Sequence, residues 1–329
     1  MSYSSPLYEP ALTSIFSSYI SDYIEQKRAL HYKFNPEAFI LGQFDKYCAD
    51  IGLEKAAINH DLLQGWNIRR PEESVSTHHQ RIRVVRAFSV FLSCKGIEAP
   101  IKFHPLPKLS NDFMPYIFQQ EELTQLFEVV DAENQIVRAI SPVKHFVFPA
   151  LLKTTYCCGL RISEATHLKN ADVDLTSGTA TIVNSKNGCD RMIVFSKSLL
   201  ELLKEYRAHQ EIIEFGSEYF FPAPDRGFYN NSTIYNNFRE YLFHAGILHG
   251  GRGKGPRVHD LRHSFAVHTL SKWQKTGKDI YVCLPILSAY MGHKNLYETQ
   301  KYLRLVPAAY EELTNAYDQQ FGHIFPEVN

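Results

Sequence analysis

The sequence predicts a mainly α-helical chain in two domains, the second carrying one antiparallel β-hairpin. Three observations predict it. At 329 residues the chain suits two domains of roughly 150 residues each. Apolar residues recur at helical spacing through most of its length. One stretch breaks that rhythm: residues 179–184 and 191–195 alternate as strands do, around the polar turn SKNGCD. A composition of 44% hydrophobic and 21% charged residues is that of a globular protein with a sizeable core.

Taken in order, residues 11–105 read as helical. Ile15, Tyr19, Tyr23 and Lys27 sit at i, i+4 spacing, with Ile20 and Ile24 alongside. Glu37 to Tyr47 carries Phe39, Ile40, Phe44 and Tyr47 on a 3.6-period face. Leu62, Leu63 and Trp66 mark a short third helix. Thr77 to Lys95 holds Ile82, Val85, Phe88, Val90, Phe91 and Leu92, and Gly96 fits its C-terminal cap. Pro100, Pro105 and Pro107 then stop helix propagation and mark a stiff linker. Beyond it Gln119 to Val130 reads as a helix through Leu123, Leu126 and Phe127, and residues 143–156 as an apolar one. After the hairpin come helices over Leu199–Tyr206 and Ser232–Ala245, the latter with Ser232 as its expected N-cap. The glycine-rich GGRGKGP, residues 250–256, is a loop. A last helix is expected from Ala308 to about Gln320, placing Tyr310, Leu313 and Tyr317 on one side.

Charge excludes some functions. Lys+Arg and Asp+Glu number 35 each, so the chain does not bind polyanions through net charge, nor is it an acidic solvating chain. Any nucleic-acid site must come from charge segregation, and the sequence has it. Residues 250–305 hold ten Lys/Arg against three Asp/Glu, whereas residues 306–329 hold four acids and no Lys or Arg. A basic run alone is more often a solvated face; the sharper reading is a phosphate-binding surface. No apolar run reaches the ~18–20 residues of a membrane span, and the start MSYSSPLYEP lacks a secretory pattern. The six cysteines include no CxxC pair and read as reduced thiols of a cytoplasmic protein.

Three segments carry chemistry. In CGLRISE, Arg161 follows Gly159 at the end of an apolar stretch, with Glu164 three residues on; alone, that is a helix start with an ion pair. In VHDLRHSF, His259, Arg262 and His263 fall at i, i+3 and i+4 on one helical face. The pair of histidines lacks the glutamate of HExxH and a third ligand, so no zinc or other metal site is expected. An arginine flanked by imidazoles suits a phosphate oxyanion. In MGHKNLYETQKYLRL, Tyr302 stands nine residues after His293, and nothing physical singles it out without the other two segments.

Together, in this order, the three segments resemble the tyrosine recombinase (phage integrase) family: Arg, then His-x-x-Arg, then Gly-His, then Tyr at the nine-residue spacing. The resemblance covers nearly the whole chain and is strongest from GLRISEATHLKNADVDL to YMGHKNLYETQKYLRL. It implies a helical core-binding, DNA-binding domain over residues 1–108. It also implies a mostly helical catalytic domain with a small antiparallel β-sheet over 109–329, the two clamping a DNA duplex. Arg161 and Arg262 match the arginines that hold the scissile phosphate's non-bridging oxygens. Lys186, in the hairpin turn, matches the family lysine; His259 matches the HxxR histidine; His293 matches the histidine that donates to the phosphate; Tyr302 matches the nucleophile. Glu164 matches the acid supporting the first arginine, and His263 is expected to orient its helix.

That set fits the chemistry. A phenol of pKa ~10 must lose its proton, and the charge of a pentavalent phosphorus must be neutralised. The family forms a 3′-phosphotyrosine and frees a 5′-hydroxyl, conserving bond energy, so no cofactor, ATP or metal is expected. The departing alkoxide needs an acid, for which Lys186 is the candidate and Lys197 and Arg191 are its rivals. Double-stranded DNA is the expected partner, with self-association into a tetrameric synaptic complex. The stretch Ser271–Leu287 is longer than the family's usual spacer before Gly-His, and the Ala308–Gln320 helix is expected to dock on its own domain or on a neighbouring protomer. Two other functions remain open: a DNA-binding protein of this fold without catalysis, and a type IB topoisomerase-like enzyme.

Overall fold

The structure is a computed structural model describing residues 7–103, 106, 114–132, 144–183, 190–212, 216–251 and 255–306. The chain divides into two compact units, Met1–Phe113 and Met114–Asn329. The architecture is the predicted one, mostly helical with a small antiparallel sheet.

The described part of the first unit is helical: α1 (Ser17–Ala29), α2 (Asn35–Asp50), α3 (His60–Asn67) and α4 (Val75–Cys94). Its core gathers the rings of Phe16, Phe44, Trp66 and Phe88 with Ile20, Leu41 and Leu92. The buried face of α1 is Ile20, Tyr23 and Ile24. Ile15 stays 39% exposed, because the helix starts only at Ser17 and its period does not reach back that far. Orphan N–H groups at two helix starts are met by side chains. The Leu62 N–H donates to the Asn59 side chain at 2.8 Å and the Thr77 N–H to Ser74 Oγ at 3.1 Å. Gly96, at φ 79°, takes the left-handed position just past α4, where a side chain is strained.

In the second unit α5 (Gln120–Ala132) and α6 (Lys144–Cys157) precede the short α7 (Ile162–Thr166). Strands β1 (Val173–Asp174), β2 (Thr179–Ile182) and β3 (Arg191–Val194) form an antiparallel sheet in that order. The register of β2 on β3 pairs Ile182 with Arg191 and Thr179 with Val194, so the predicted hairpin is present. Helices α8 (Lys197–Ile212), α9 (Asn231–His244), α10 (Val258–Lys275), α11 (Ile280–Met291) and α12 (Leu296–Gln300) follow. The main core of this unit collects Phe118, Leu126, Phe148, Leu151, Leu203, Phe238 and Leu261.

One expectation changes. The cap of α9 is Asn230, not Ser232: the Asn230 backbone is extended and its side chain accepts the Thr233 N–H at 2.8 Å, which leaves Ser232 inside the first turn. The long stretch Ser271–Leu287 holds the end of one helix, a turn and the first part of the next. Helix α10 runs on to Lys275, Gly277 reverses the chain at φ 72°, and Asp279 caps α11 by accepting the Tyr281 N–H at 2.8 Å. The Ala308–Gln320 helix, Lys186, Pro105 and Pro107 fall outside the described residues.

Candidate active site

The site is built on helix ends. The last carbonyls of a helix have no partner within it and carry the negative end of its dipole, so cations collect there. At the end of α11 three guanidinium groups supply the partners. Arg191 Nε donates to the Tyr290 carbonyl at 2.8 Å, Arg262 Nη2 to that of Met291 at 2.6 Å, and Arg161 Nη2 to that of Gly292 at 3.1 Å. Arg262 also reaches the end of α6, Nη1 donating to the Gly159 carbonyl at 2.6 Å. Gly292 ends α11 at φ 65°, and a Cβ there would stand 2.9 Å from Arg191 Nη1, so only glycine lets the guanidinium lie against the backbone.

Glu164 holds the arginines together. It accepts from Arg161 N at 2.9 Å and Arg161 Nη1 at 2.7 Å, and from Arg191 Nη1 and Nη2 at 3.0 and 2.7 Å. Arg262 Nη1 lies 3.8 Å away. Burial alone raises the Glu164 pKa, but the hydrogen bonds and charge of Arg191, followed by the bonds from Arg161, overcome it and hold the carboxyl at about 2. Arg262, 1% exposed, is pulled down to about 10 by its burial and then by Arg161, and so keeps its charge at any working pH.

Tyr302 enters from the turn after α12. Its ring is 6% exposed and packs in a small cluster with Ala266, Val267, Leu270 and Met291. The His293 ring stacks near it, centroids 6.2 Å apart. His293 is fixed by Thr299, whose Oγ1 is 2.6 Å from Nδ1. When the hydroxyl donates, the imidazole hydrogen sits on Nε2 and is free to donate elsewhere. Burial and then Arg262 and Arg161 lower the His293 pKa to about 3, while burial, against the field of the same arginines, raises that of Tyr302 to about 12.

The sequence-predicted residues Arg161, Arg262, His293 and Tyr302 therefore come together at one helix terminus. His259 joins at the rim: its ring meets that of His263 edge-on at 4.7 Å and stays open to solvent. Partial desolvation and then the charge of His263 and Arg262 lower its pKa, the first cause tempered by that exposure. The rivals fare differently. Arg191 is committed to Glu164 and Tyr290, Lys197 opens α8 on the exposed surface, and the Tyr290 hydroxyl points to the Val194 carbonyl.

A model of the phage integrase family matches residues 118–308, more than half of the chain. The chain belongs to the phage integrase family. Among its relatives, a tyrosine recombinase XerC of Chlorobaculum tepidum is 30% identical over 294 residues, 80% of each chain. A putative integrase/recombinase of Sinorhizobium fredii is 28% identical over 306 residues, 91% of this chain and 96% of the relative. Two solved structures share the fold. The XerH site-specific recombinase bound to a palindromic difH substrate superposes with a TM-score of 0.64 at 20% identity, covering 86% of this chain and 79% of that one. The Tn1549 transposon integrase, in complex with transposon right end DNA, gives 0.61 at 13% identity, covering 93% and 98%.

Within this integrase-family site three residues make contacts that the sequence does not indicate. His263 touches the Tyr302 hydroxyl, Nδ1 to oxygen 2.7 Å. Thr299 orients His293, and Arg191 grips Glu164. His263 is visible as the i+4 neighbour of His259, but helical spacing does not reveal what a residue of another element brings to it. Thr299 lies only six residues after His293, but no spacing rule pairs them, and Arg191, which the sequence offers only as a rival acid, finds Glu164 27 residues away.

Proposed function

We propose that the chain is a site-specific recombinase that cleaves and rejoins duplex DNA through Tyr302. The convergence of Arg161, Arg262 and His293 on the Tyr302 hydroxyl's surroundings carries this reading, since a protein that only binds DNA has no use for a buried tyrosine beside a phosphate cradle. The Tyr302 oxygen attacks phosphorus, forming a 3′-phosphotyrosine and freeing a 5′-hydroxyl. Each guanidinium has five donors, and Arg262 spends only two on carbonyls in the bonds above, leaving N–H groups for the non-bridging oxygens. His293, with Thr299 at Nδ1, turns Nε2 to the same oxygens. Two fixed cations and a donor offset the negative charge that grows in the transition state. Lys186 is assigned the protonation of the leaving 5′-oxygen, and His259 borders the phosphate. A second strand's 5′-hydroxyl reverses the steps and joins new ends, so the reaction consumes no ATP and uses no metal. Exchange between two duplexes calls for several protomers, and we assign a tetramer acting in the cytoplasm. By this reading residues 1–108 bind one face of the DNA and 109–329 carry out catalysis.

Covalent capture tests the reading. The protein is incubated with a randomised duplex library, and adducts that survive denaturation are sequenced. Tyr302→Phe should abolish adducts while binding to the captured duplex persists. Adducts that survive in Tyr302→Phe would move the nucleophile to Tyr297 or Tyr290. No adduct from the unmodified protein would favour a DNA-binding protein without catalysis. Strand exchange between two captured duplexes, as opposed to supercoil relaxation alone, separates a recombinase from a topoisomerase-like enzyme.

A further inference from the structure

The proposed reaction leaves one proton without a destination, that of the Tyr302 hydroxyl, and the contact with His263 supplies one; the inference rests on the proposed function. His263 Nδ1 is 2.7 Å from the phenolic oxygen. Both rings are held in place. Tyr302 is packed against Ala266, Val267 and Met291, so its oxygen has a fixed direction. His263 lies on α10 with its ring against that of His259. Its Nε2 faces Asp260 Oδ1 at 4.0 Å, and Asp260 is anchored by Arg257, which donates from N at 2.8 Å and Nη2 at 3.0 Å. A carboxylate on that side favours the hydrogen on Nε2 and leaves the Nδ1 lone pair facing the phenol. His259 has no such contact: it is exposed, and its ring meets His263 rather than Tyr302.

We propose that His263, and not His259, is the base that takes the proton of Tyr302 as its oxygen attacks the phosphodiester. The O–H bond breaks, the proton passes to Nδ1, and the oxygen's electron pair forms the bond to phosphorus while the 5′-oxygen leaves with a proton from the acid. In the reverse step the departing phenolate takes the proton back from Nδ1, so His263 is restored after each cycle. The groups around His263 are Asp260, His259 and Arg262 on α10, Arg257 at its N-cap, Tyr302 beside Nδ1, and His293 across the site. Burial first, then Arg257 and Arg262, lower its pKa to about 4, so the imidazole is neutral and able to accept at neutral pH. A phosphate seated on Arg161 and Arg262 offsets part of that cationic field and makes the imidazole a stronger base when substrate is present.

The test measures single-turnover adduct formation on the duplex captured above, across about pH 3.5 to 9. His263→Ala should slow it roughly 10²–10⁴-fold, the usual worth of a positioned base. The variant should lose the limb of the pH profile that falls towards acid, and added imidazole should restore part of the rate. His259→Ala should keep that limb. His263→Gln keeps a hydrogen-bond acceptor but does not titrate, and should remain as slow as the alanine variant. A glutamine variant with the full rate and an unchanged profile would overturn the inference, leaving His263 a positioning residue. So would a His263→Ala variant that cleaves normally. Circular dichroism and affinity for the same duplex check that each variant is folded. Failure of the unmodified protein to form adducts sinks the recombinase reading and this inference together, whereas normal adducts from His263→Ala sink this inference alone.

Discussion

Without the Glu164 carboxylate, Arg161, Arg191 and Arg262 would face one another with no anion between them. The carboxylate is 5% exposed, so water cannot replace it. Glu164→Gln should cost about 3–5 kcal/mol at neutral pH, the usual penalty for removing one side of a buried ion pair. The sign of the pH dependence follows from the pKa. The folded value, about 2, lies below the ordinary glutamate value of ~4.3, so the charged form stabilises the fold above that ordinary value. That contribution, about 3 kcal/mol for a shift of this size, is lost as pH falls through about 4 towards 2. Urea unfolding of both proteins at a series of pH values checks it: the gap between them should narrow as the buffer becomes acidic. A constant gap would mean that packing, not charge, is what glutamine removes.

Two elements position chemistry they do not perform. The turn after α6 brings its final carbonyl to Arg262, and Gly159 makes that turn at φ 59°. A Cβ there would meet the Phe265 ring of α10. Gly159→Ala combines left-handed strain with overpacking and should lower stability by roughly 2–4 kcal/mol, read as a reduced thermal midpoint, with a loss of adduct formation as Arg262 shifts. The β2–β3 hairpin would do the same for the proposed acid. Its register brings Ile182 opposite Arg191, and Lys186 belongs to the segment joining them. If the lysine protonates the leaving oxygen, Lys186→Ala should slow cleavage about 10²–10⁴-fold. A 5′-bridging phosphorothiolate should cancel that defect, because a thiolate leaves without a proton. Arg161→Ala should not be rescued, since its defect is in transition-state charge. A Lys186→Ala variant still slow on the phosphorothiolate would move the acid to Lys197 or His259, as Arg191 is already held by Glu164 and Tyr290.

For the whole molecule the decisive quantity is the distribution of charge, since the net charge is zero. Duplex binding should fall steeply with salt, because each neutralised phosphate releases counterions. The cations are not equivalent in this respect. Arg257 is tied to Asp260 at 3.0 Å and helps hold the start of α10, so its removal mixes folding with binding. Arg252 and Lys254 of the glycine-rich loop give the cleaner test. Their double replacement by alanine should reduce the slope of log affinity against log salt by roughly 2 and leave the thermal midpoint in place. An unchanged slope would place the DNA track elsewhere.

The sequence by itself determined the fold class, the hairpin, and the family, with Arg161, His259, Arg262, His293 and Tyr302 at recognisable spacings. These are local properties: periodicity decides which elements form, and a motif is a short run of neighbours. Even there, local reading slipped where two residues compete for one role, as at the α9 cap, where Asn230 wins over Ser232. The tertiary structure decided what those residues touch. Only packing brings the ends of α6 and α11 to the same guanidinium, sets Arg191 of β3 on Glu164 of α7, and lays Tyr302 against His263, 39 residues earlier in the chain. The physical reason is that a carbonyl at a helix end or a buried phenol takes its partner from whatever the fold delivers, and sequence spacing carries no record of a distance between elements that meet only through the core.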